Sequence, residues 1–219
     1  MSEQFFQAIG ILRGEVSFDQ GRGSIAIAGK EFALQPLPQF SRAYRALQVQ
    51  AQTQPRQRVI VYPKVTHFPE KGKHQAISFQ LVGFDGNGEG ISQHLEDGMF
   101  LLRGVWQFIP VCRIPCVTVY KNFSRDRLEW VKQSDPAKRV ALLRPAHCPV
   151  IWKNAPVKPF RYNPKADAQA SPFFVQIQAS FIPERNCFGF QSLLAPPTTD
   201  LPRHMKPAKK DKMKACTKN

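Results

Sequence analysis

The stretch from Met99 to Asn122 constrains the fold of this chain more than any other, because it combines strong strand character with a glycine in mid-strand. Residues that face one side recur at every second position: Phe100, Leu102, Gly104, Trp106 and Phe108. This period of two predicts a β-strand with one apolar face. A glycine weakens a strand unless it permits a bend or a close approach of another backbone, as at the corner of a small closed barrel. The β-branched and aromatic residues 117–120 predict a second strand after Pro110 and Pro115.

The N-terminus repeats part of this pattern. Residues 5–16 alternate like a strand, and Leu12-Arg13-Gly14 matches Leu102-Arg103-Gly104. The turn-forming residues 20–23 precede residues 24–34, which we interpret as one returning strand of a long, bent hairpin. Residues 79–84 (FQLVGF) and 175–181 (VQIQASF) follow the two matching strands at comparable distances. The pattern therefore leaves two alternatives open, one elaborated barrel or two related barrels in tandem.

The rest of the chain predicts further short elements. Helical spacing over residues 40–51, with Ser41 as N-cap, and over Ser124–Gln133, with Ser124 as N-cap, indicates two short helices. Strands are expected at 58–65, with Pro63 near the end, and at 77–82, 139–143, 150–152 and 173–181.

These elements predict a mainly β fold, a β-barrel with one or two short helices. We expect an N-terminal unit over residues 1–95 and a barrel-like unit over residues 96–194, which are either separate or continuous. From residue 195 the composition turns to Pro, Lys, Thr and Asp, which predicts a disordered, lysine-rich tail over residues 195–219.

Bent strands with internal glycines, a helix between strands and faces that mix basic and aromatic residues resemble the OB-fold proteins that bind single-stranded nucleic acid. The resemblance concerns the layout of the chain and implies one elaborated or two tandem OB-like barrels. In the N-terminal half the first predicted helix follows the second predicted strand, whereas an OB helix usually lies between the third and fourth. The C-terminal half, with Ser124–Gln133 between strands, fits the layout better.

The charge of the chain narrows the class of partner. There are 31 Lys and Arg residues against 16 Asp and Glu, a formal net charge of +15. Such a field favours polyanions, namely nucleic acid or an anionic membrane surface. Residues 203–219 hold seven Lys and Arg against one Asp, so the remainder of the chain is basic as well. In this tail, Lys209 and Lys210 are candidates for phosphate contacts, or for a purely solubilising role.

Three segments place an aromatic residue and a lysine after β-branched residues: 59–64 (VIVYPK), 117–122 (VTVYKN) and 150–154 (VIWKN). At a strand end, such an aromatic ring can stack on a base while the lysine meets a phosphate. Arg13 and Arg103 are lone arginines in apolar strands and need solvent, an anion or a distant acid. The predicted groove thus consists of Arg13, Tyr62, Lys64, Arg103, Trp106, Tyr120, Lys121, Trp152 and Lys153. Core positions are the alternative for the aromatic rings, for Trp106 above all.

The cysteines and acids do not predict catalysis. Cys112 and Cys116 form a loose C-x3-C pair, and with Cys148 and Cys187 they are better explained as buried thiols than as zinc ligands. The adjacent acids Glu96 and Asp97 lack the third acid or lysine of a nuclease site. Nucleotide-binding glycine motifs, nucleophile elbows and zinc-protease motifs do not occur in the sequence. We therefore expect no enzyme activity, no cofactor and no metal.

We expect a cytoplasmic protein, because the odd number of cysteines suits a reducing compartment and Glu3 stands where a signal peptide would be basic. The apolar runs are too short for a membrane span. The predicted function is non-catalytic binding of single-stranded DNA or RNA in a basic, aromatic-lined groove. The alternative is a structural or assembly subunit of a ribonucleoprotein or another multi-protein complex.

Overall fold

The computed structural model describes residues 4–68, 75–85 and 94–216 of the chain. Within these residues the fold is mainly β. The strands are β1 (Gln7–Asp19), β2 (Arg22–Ile27), β3 (Lys30–Gln35), β4 (Arg56–Thr66), β5 (Ala76–Phe84), β6 (Met99–Gln107), β7 (Cys116–Val119), β8 (Ala146–Ile151), β9 (Phe173–Ile182) and β10 (Cys187–Thr198). The helices are α1 (Ser41–Gln50), α2 (Arg125–Gln133), α3 (Pro136–Leu143) and α4 (Lys209–Cys216).

The first five strands close into a barrel. β1 pairs with β2 and β4, β2 pairs with β3, and β5 pairs with β4 and, in parallel, with β3. The closed order is β1-β2-β3-β5-β4-β1, with α1 between the third and fourth strands. This is the layout of an OB barrel and confirms the predicted mainly β, barrel-type fold class.

The position of α1 corrects the sequence-based layout. Residues 24–34 are not one strand, because Ala28 and Gly29 have φ values of 49° and 75° and turn the chain between β2 and β3. Ile27 pairs directly with Lys30, as in a two-residue hairpin with both turn residues in the left-handed region. The prediction missed this turn because alanine rarely adopts such a φ value. With the extra strand, the N-terminal half follows the OB layout.

The last five strands repeat the same order. β6 pairs with β7 and β9, β7 pairs with β8, and β10 pairs with β9 and, in parallel, with β8. Here α2 and α3 lie between the second and third strands, and the connection from β8 to β9 has no helix in the described residues. The expectation that the C-terminal half is closer to the OB layout is therefore wrong.

Residues 139–143 belong to α3 and not to a strand. The Asp135 side chain accepts a hydrogen bond from Lys138 N at 3.0 Å, and Pro136 occupies the first turn of the helix. β4 also continues through Pro63 to Thr66, so the proline does not end this strand.

The two barrels share one ten-stranded sheet. The N-terminal part of β1 pairs antiparallel with β6, from Gln7 opposite Arg103 to Gly10 opposite Phe100. The matching Leu-Arg-Gly motifs lie at equivalent places in β1 and β6, whereas 79–84 and 175–181 lie on a fifth and a fourth strand and are not equivalent. Because Gly10 and Phe100 are themselves equivalent positions, the pairing relates the barrels by an approximate two-fold axis.

Each motif glycine lies next to the end of the antiparallel pairing between the first and second strands of its barrel. A Cβ atom on Gly14 would overlap the carbonyl oxygen of Ala26 in β2, and one on Gly104 would overlap the carbonyl oxygen of Thr118 in β7. The close backbone approach expected for Gly104 is thus confirmed. A Cβ atom on Gly10 would overlap the ring of Phe100.

One hydrophobic cluster extends through both barrels. The Phe181 ring of β9 lies 5.2 Å from Phe32 and 5.2 Å from Phe79 of the first barrel. A second, smaller cluster consists of Phe6, Val105, Tyr120 and Phe174. It lies where the N-terminal segment meets the second barrel.

The C-terminal boundary differs from the prediction. β10 runs to Thr198, residues 199–208 contain no helix or strand, and α4 follows. The tail predicted from residue 195 thus begins after Thr198 and includes one short helix; residues 217–219 lie outside the described part.

None of the helices in the described residues has the length and apolar character needed to cross a bilayer.

Candidate nucleic-acid interface

The predicted groove residues fall in three regions of the molecule. Arg13, Tyr62 and Lys64 belong to the first barrel, and Arg103, Tyr120 and Lys121 belong to the β6-β7 side of the second. Trp106, Trp152 and Lys153 lie at the far ends of β6 and β8, whereas Lys209 and Lys210 are exposed on α4. We therefore consider each region separately.

Arg13 has an acidic partner that is distant in sequence. Its Nη1 lies 3.3 Å from Asp97 Oδ2, and the other Asp97 oxygen accepts a hydrogen bond from Arg58 Nε at 2.6 Å. Arg58 also pairs with Asp85 at 2.7 Å, and these two acids, acting against the burial of the side chain, raise the pKa of Arg58. Asp97 thus has a structural role, and Arg13 does not depend on a bound anion.

Arg13 nevertheless borders a shallow cavity of about 430 Å³ on the first barrel, together with Glu15, Arg56 and the β2-β3 turn. Tyr62 is half-buried on β4, and the Lys64 amine donates a hydrogen bond to Gln35 Oε1 at 3.1 Å. These three predicted residues lie on β1 and β4, in a different barrel from Arg103, Tyr120 and Lys121.

Trp106 was predicted to line the groove, and this is wrong. Its side chain is 1% exposed, and its indole N–H donates a hydrogen bond to the Val157 carbonyl at 3.2 Å. Trp152 is half-buried and stacks on Phe190, with ring centroids 4.4 Å apart and an interplanar angle of 7°. Lys153 is exposed beside this pair. The two tryptophan rings therefore serve the packing of the second barrel.

Arg103, Tyr120 and Lys121 come together at the junction of the barrels. The guanidinium carbon of Arg103 lies 4.7 Å from the ring centroid of Phe5, which is 37% exposed. The adjacent Phe6 packs edge-on against Tyr120 at 5.2 Å. The N-terminal segment thus brings an exposed aromatic ring to the arginine.

Asn122 holds this segment in place. Its amide donates to the Phe6 carbonyl at 2.7 Å and its side-chain oxygen accepts from the Phe6 N–H at 3.2 Å. Both backbone hydrogen-bonding groups of Phe6 are thereby satisfied. Lys121, the neighbour of Asn122, is left at the surface.

The helical insertion adds a tryptophan that we did not predict as a site residue. Trp130 of α2 is 39% exposed, and its ring centroid lies 4.2 Å from the guanidinium carbon of Arg127 and 4.7 Å from the amine of Lys138. Arg127 and Trp130 are three residues apart and so lie on one face of α2. This spacing is visible in the sequence, but the contribution of Lys138 depends on how α3 folds back.

Lys121 is electrostatically coupled to the insertion. Partial desolvation of its side chain, and then the nearby charge of Arg127, lower the pKa of Lys121. Two cations held close together repel each other, and a bound phosphate would relieve that repulsion. We call Phe5, Arg103, Lys121, Arg127, Trp130 and Lys138 the basic-aromatic surface.

The C-terminal segment covers the ring of Tyr120. His204 stacks on Tyr120 with ring centroids 4.1 Å apart and an interplanar angle of 28°, and the Lys206 amine lies 5.5 Å from the same ring. Tyr120 is therefore buried, and burial is the main reason that its pKa is raised. It contributes to the site by supporting Phe6 and does not present its own face.

α4 is held against the insertion by an ion pair. The nearly buried carboxylate of Asp211 accepts hydrogen bonds from Arg139 Nη1 at 3.1 and 3.2 Å, while Arg139 Nη2 donates to the Ser134 carbonyl at 2.8 Å. Lys209 and Lys210 are exposed in the same helix. The tail lysines thus lie on an element that packs beside the basic-aromatic surface.

Cys112, Cys116, Cys148 and Cys187 are buried and free. Among the described residues, no three His, Cys, Asp or Glu side chains are arranged to hold a metal ion.

Comparisons with protein-family models, with curated proteins and with solved structures found no match to this chain.

Proposed function

We propose that this protein binds single-stranded nucleic acid, without catalysis, through the basic-aromatic surface of its second barrel. The observation that carries the proposal is the cluster around Trp130, where an exposed indole lies between 4 and 5 Å from the cationic groups of Arg127 and Lys138. Stacking on an aromatic ring requires an unpaired base, whereas the cations recognise phosphate in any strand.

The position of the cluster supports the proposal. Contacts run from Arg103 and Phe5, through Phe6 and Tyr120, to Lys121 beside Arg127. A strand that follows this path would meet a cation near each of its two exposed rings. OB barrels commonly bind oligonucleotides beside their second and third strands. Four residues of this surface, Lys121, Arg127, Trp130 and Lys138, lie in the connection between the second and third strands of this barrel.

The charge of the flanking elements also supports the proposal. Residues 121–144 hold seven Lys and Arg residues against three acids, and α4 adds four lysines and one Asp. That Asp is paired with Arg139, and Glu129 is paired with Lys132 at 2.7 Å. These two acids near the surface are thus engaged in ion pairs, and the net positive charge of the region attracts a polyanion.

The test is fluorescence anisotropy with labelled single-stranded and double-stranded DNA and RNA oligomers over a salt series. We expect the Trp130→Ala variant to bind single strands roughly 5- to 150-fold more weakly, because stacking contributes about 1–3 kcal/mol per base. Lys121→Gln is expected to reduce the slope of log affinity against log salt by about 0.7, the contribution of one phosphate contact in a single strand.

Two matched variants control for general effects. Tyr162→Ala removes another aromatic ring, which is 70% exposed on the connection between β8 and β9, and Lys64→Gln removes a lysine of the first barrel. Both are expected to bind like the unaltered protein. Equal losses in the control variants, or equal affinity for single and double strands, would overturn the proposal.

One observation favours the alternative of an assembly subunit. Leu193 and Leu194 are adjacent and about 40% exposed on β10, where its pairing with β9 is interrupted by shifts in register. Exposed apolar residues beside an irregular strand are typical of a protein contact. If no DNA or RNA oligomer binds to the protein, we expect Leu193→Ser and Leu194→Ser to abolish association with a protein partner.

A further inference from the structure

The connection between β6 and β7 holds two buried cysteines on either side of a tight turn. Cys112 ends the 3-10 turn Pro110–Cys112, and Arg113 has a φ of 61°, which reverses the chain before Cys116 opens β7. Cys112 Sγ lies 3.7 Å from His67 Nε2 and Cys116 Sγ lies 3.7 Å from Thr118 Oγ1. His67 and Thr118 both hydrogen-bond to His147, so the two sulfurs lie beside one polar network. A reversal of this kind is what allows residues four apart to bring their side chains together outside a helix.

An imidazole from the first barrel lies against one of these thiols. His67 follows β4, and its Nε2 is 2.9 Å from the His147 carbonyl oxygen and 3.7 Å from Cys112 Sγ. A carbonyl oxygen only accepts, so Nε2 carries a hydrogen and donates it. The same N–H is close enough to interact with the Cys112 sulfur, which it stabilises best as the thiolate.

The other thiol is held in its protonated form. Cys116 Sγ donates to the Gln107 carbonyl at 3.5 Å and lies 3.7 Å from Thr118 Oγ1. Thr118 in turn accepts from Gln107 Nε2 at 2.5 Å, which leaves its hydroxyl hydrogen for His147 Nδ1 at 2.9 Å. These hydrogen bonds fix the surroundings of Cys116 and give it no cationic neighbour comparable to His67.

The titration of the two thiols agrees with this geometry. Contact with Cys116, and then with His67, lowers the pKa of Cys112 to about 5 against the opposing effect of burial. Contact with Cys112 and burial raise the pKa of Cys116. Burial opposes a charge on His67, but the contacts with Cys112 and the His147 carbonyl outweigh it and raise the pKa of His67.

We propose that Cys112 and Cys116 form a redox-active dithiol, in which Cys112 reacts with small hydroperoxides and Cys116 resolves the product as a disulfide. The Cys112 thiolate attacks the terminal peroxide oxygen and breaks the O–O bond, which gives a sulfenic acid on Cys112 and releases hydroxide from hydrogen peroxide or alkoxide from an alkyl hydroperoxide. The Cys116 sulfur then attacks the Cys112 sulfur, and the hydroxyl leaves with the Cys116 proton as water. The two thiols lose two electrons in total, and the hydroperoxide is reduced.

We expect a peroxide to reach Cys112 through movement of the surface turn around it. Cys112 is buried, but its neighbours Val111 and Arg113 are both exposed, so the sulfur lies directly under the surface turn. The other two buried thiols lack this setting. Burial raises the pKa of Cys148 to about 12 and also raises the pKa of Cys187, so both are expected to be inert.

The test treats the reduced full-length chain with hydrogen peroxide, blocks the remaining thiols by alkylation and maps the tryptic peptides. Trypsin cleaves after Arg113, so Cys112 and Cys116 fall in the separate peptides 104–113 and 114–121. We expect these two peptides to be joined after oxidation and released by a reductant. Joined peptides that contain Cys148 or Cys187 instead, or no joined peptides, would overturn the proposal.

Three variants separate the roles. Cys116→Ser is expected to accumulate a sulfenic acid on Cys112 that dimedone traps, whereas Cys112→Ser is expected to react no faster than ordinary buried thiols. Between pH 6 and 8 the oxidation rate of the unaltered protein is expected to change little, because Cys112 is already a thiolate. His67→Gln is expected to slow oxidation at pH 6 several-fold and to make the rate rise with pH.

Cys187→Ser is the matched control, and its oxidation rate is expected to equal that of the unaltered protein. If His67→Gln reacts at the same rate and with the same pH dependence as Cys187→Ser, the assignment of the nucleophile is wrong. None of these readouts depends on nucleic acid, so the proposed dithiol and the proposed binding function are tested independently.

Discussion

At the scale of single residues, the most restrictive positions are the glycines of the two Leu-Arg-Gly motifs. Gly14 and Gly104 face the carbonyl oxygens of Ala26 and Thr118, at the end of the pairing between the first two strands of each barrel. A backbone carbonyl cannot move aside as a flexible side chain does, since its strand is fixed by pairing on both sides. The same steric constraint therefore acts on the glycine of each Leu-Arg-Gly motif.

Gly104→Ala is expected to lower the free energy of unfolding by about 1–3 kcal/mol, the usual cost of forcing extra atoms into a packed site. Urea unfolding measures this as a lower midpoint at an unchanged slope. Gly83→Ala is the matched control in β5, because its new Cβ atom would lie 3.8 Å from the nearest atom, Ile60 Cδ1. Equal midpoints for the two variants would contradict the steric argument.

The residue scale also shows how far the sequence predicts the site. Strand alternation with an internal glycine predicts a close approach, because only local geometry is involved. The partner of Arg13 was not predictable, since Asp97 lies far from it in the sequence, on the connection between β5 and β6. The alternating pattern around Trp106 fits an aromatic ring at the surface as well as one in the core. Only the closure of the second barrel shows that this ring belongs to the core.

At the scale of elements, the insertion α2-α3 and the C-terminal helix α4 depend on one ion pair. Arg139 and Asp211 come from different elements, and Asp211 is almost fully buried. Removal of one partner leaves the other charge without compensation at a site with little water. We therefore expect this pair to contribute to holding α4 against α3.

Asp211→Asn is expected to loosen α4, at a cost of about 1–3 kcal/mol for an unsatisfied, partly buried donor group. Limited trypsin digestion measures the effect, and we expect cleavage after Lys209 and Lys210 to become several-fold faster. Glu129→Gln removes an ion pair whose two side chains are about half exposed and is expected to leave the cleavage rate unchanged. Unchanged cleavage in Asp211→Asn would show that other contacts hold α4.

Elements were predicted with unequal success for a physical reason. The cap at Ser124 is a local signal, and α2 begins directly after it. The turn at Ala28 and Gly29 has no such signal, because its left-handed alanine is tolerated only within the finished hairpin. Because this turn was missed, β2 and β3 were predicted as one strand, and the helix α1 was predicted to follow the second strand instead of the third.

At the scale of the whole molecule, the two barrels are bound together by both packing and polar contacts. Phe181 packs on Phe32 and Phe79, and the Lys30 amine donates to the Pro183 carbonyl at 3.0 Å and to Asn186 Oδ1 at 2.8 Å. These contacts join the β2-β3 end of the first barrel to the β9-β10 turn of the second. Unfolding of either barrel would expose the apolar surface of the other.

We expect one cooperative unfolding transition in denaturant. The three tryptophans, at positions 106, 130 and 152, all lie in β6 or after it in the chain, so their fluorescence reports the second barrel, whereas far-UV circular dichroism reports both. The two probes are expected to give the same midpoint. A dichroism curve with two steps, only one of which coincides with the fluorescence change, would show that the barrels unfold independently.

The edge pairing of β1 with β6 places one pair of equivalent residues, Gly10 and Phe100, on the approximate two-fold axis. A Cβ atom on Gly10 would overlap the Phe100 ring where that ring now lies. The junction therefore uses two different residues at one symmetric position. Two identical one-barrel chains could not do this, because they carry the same residue on both sides of their axis, whereas a chain that contains both barrels can differ on each side.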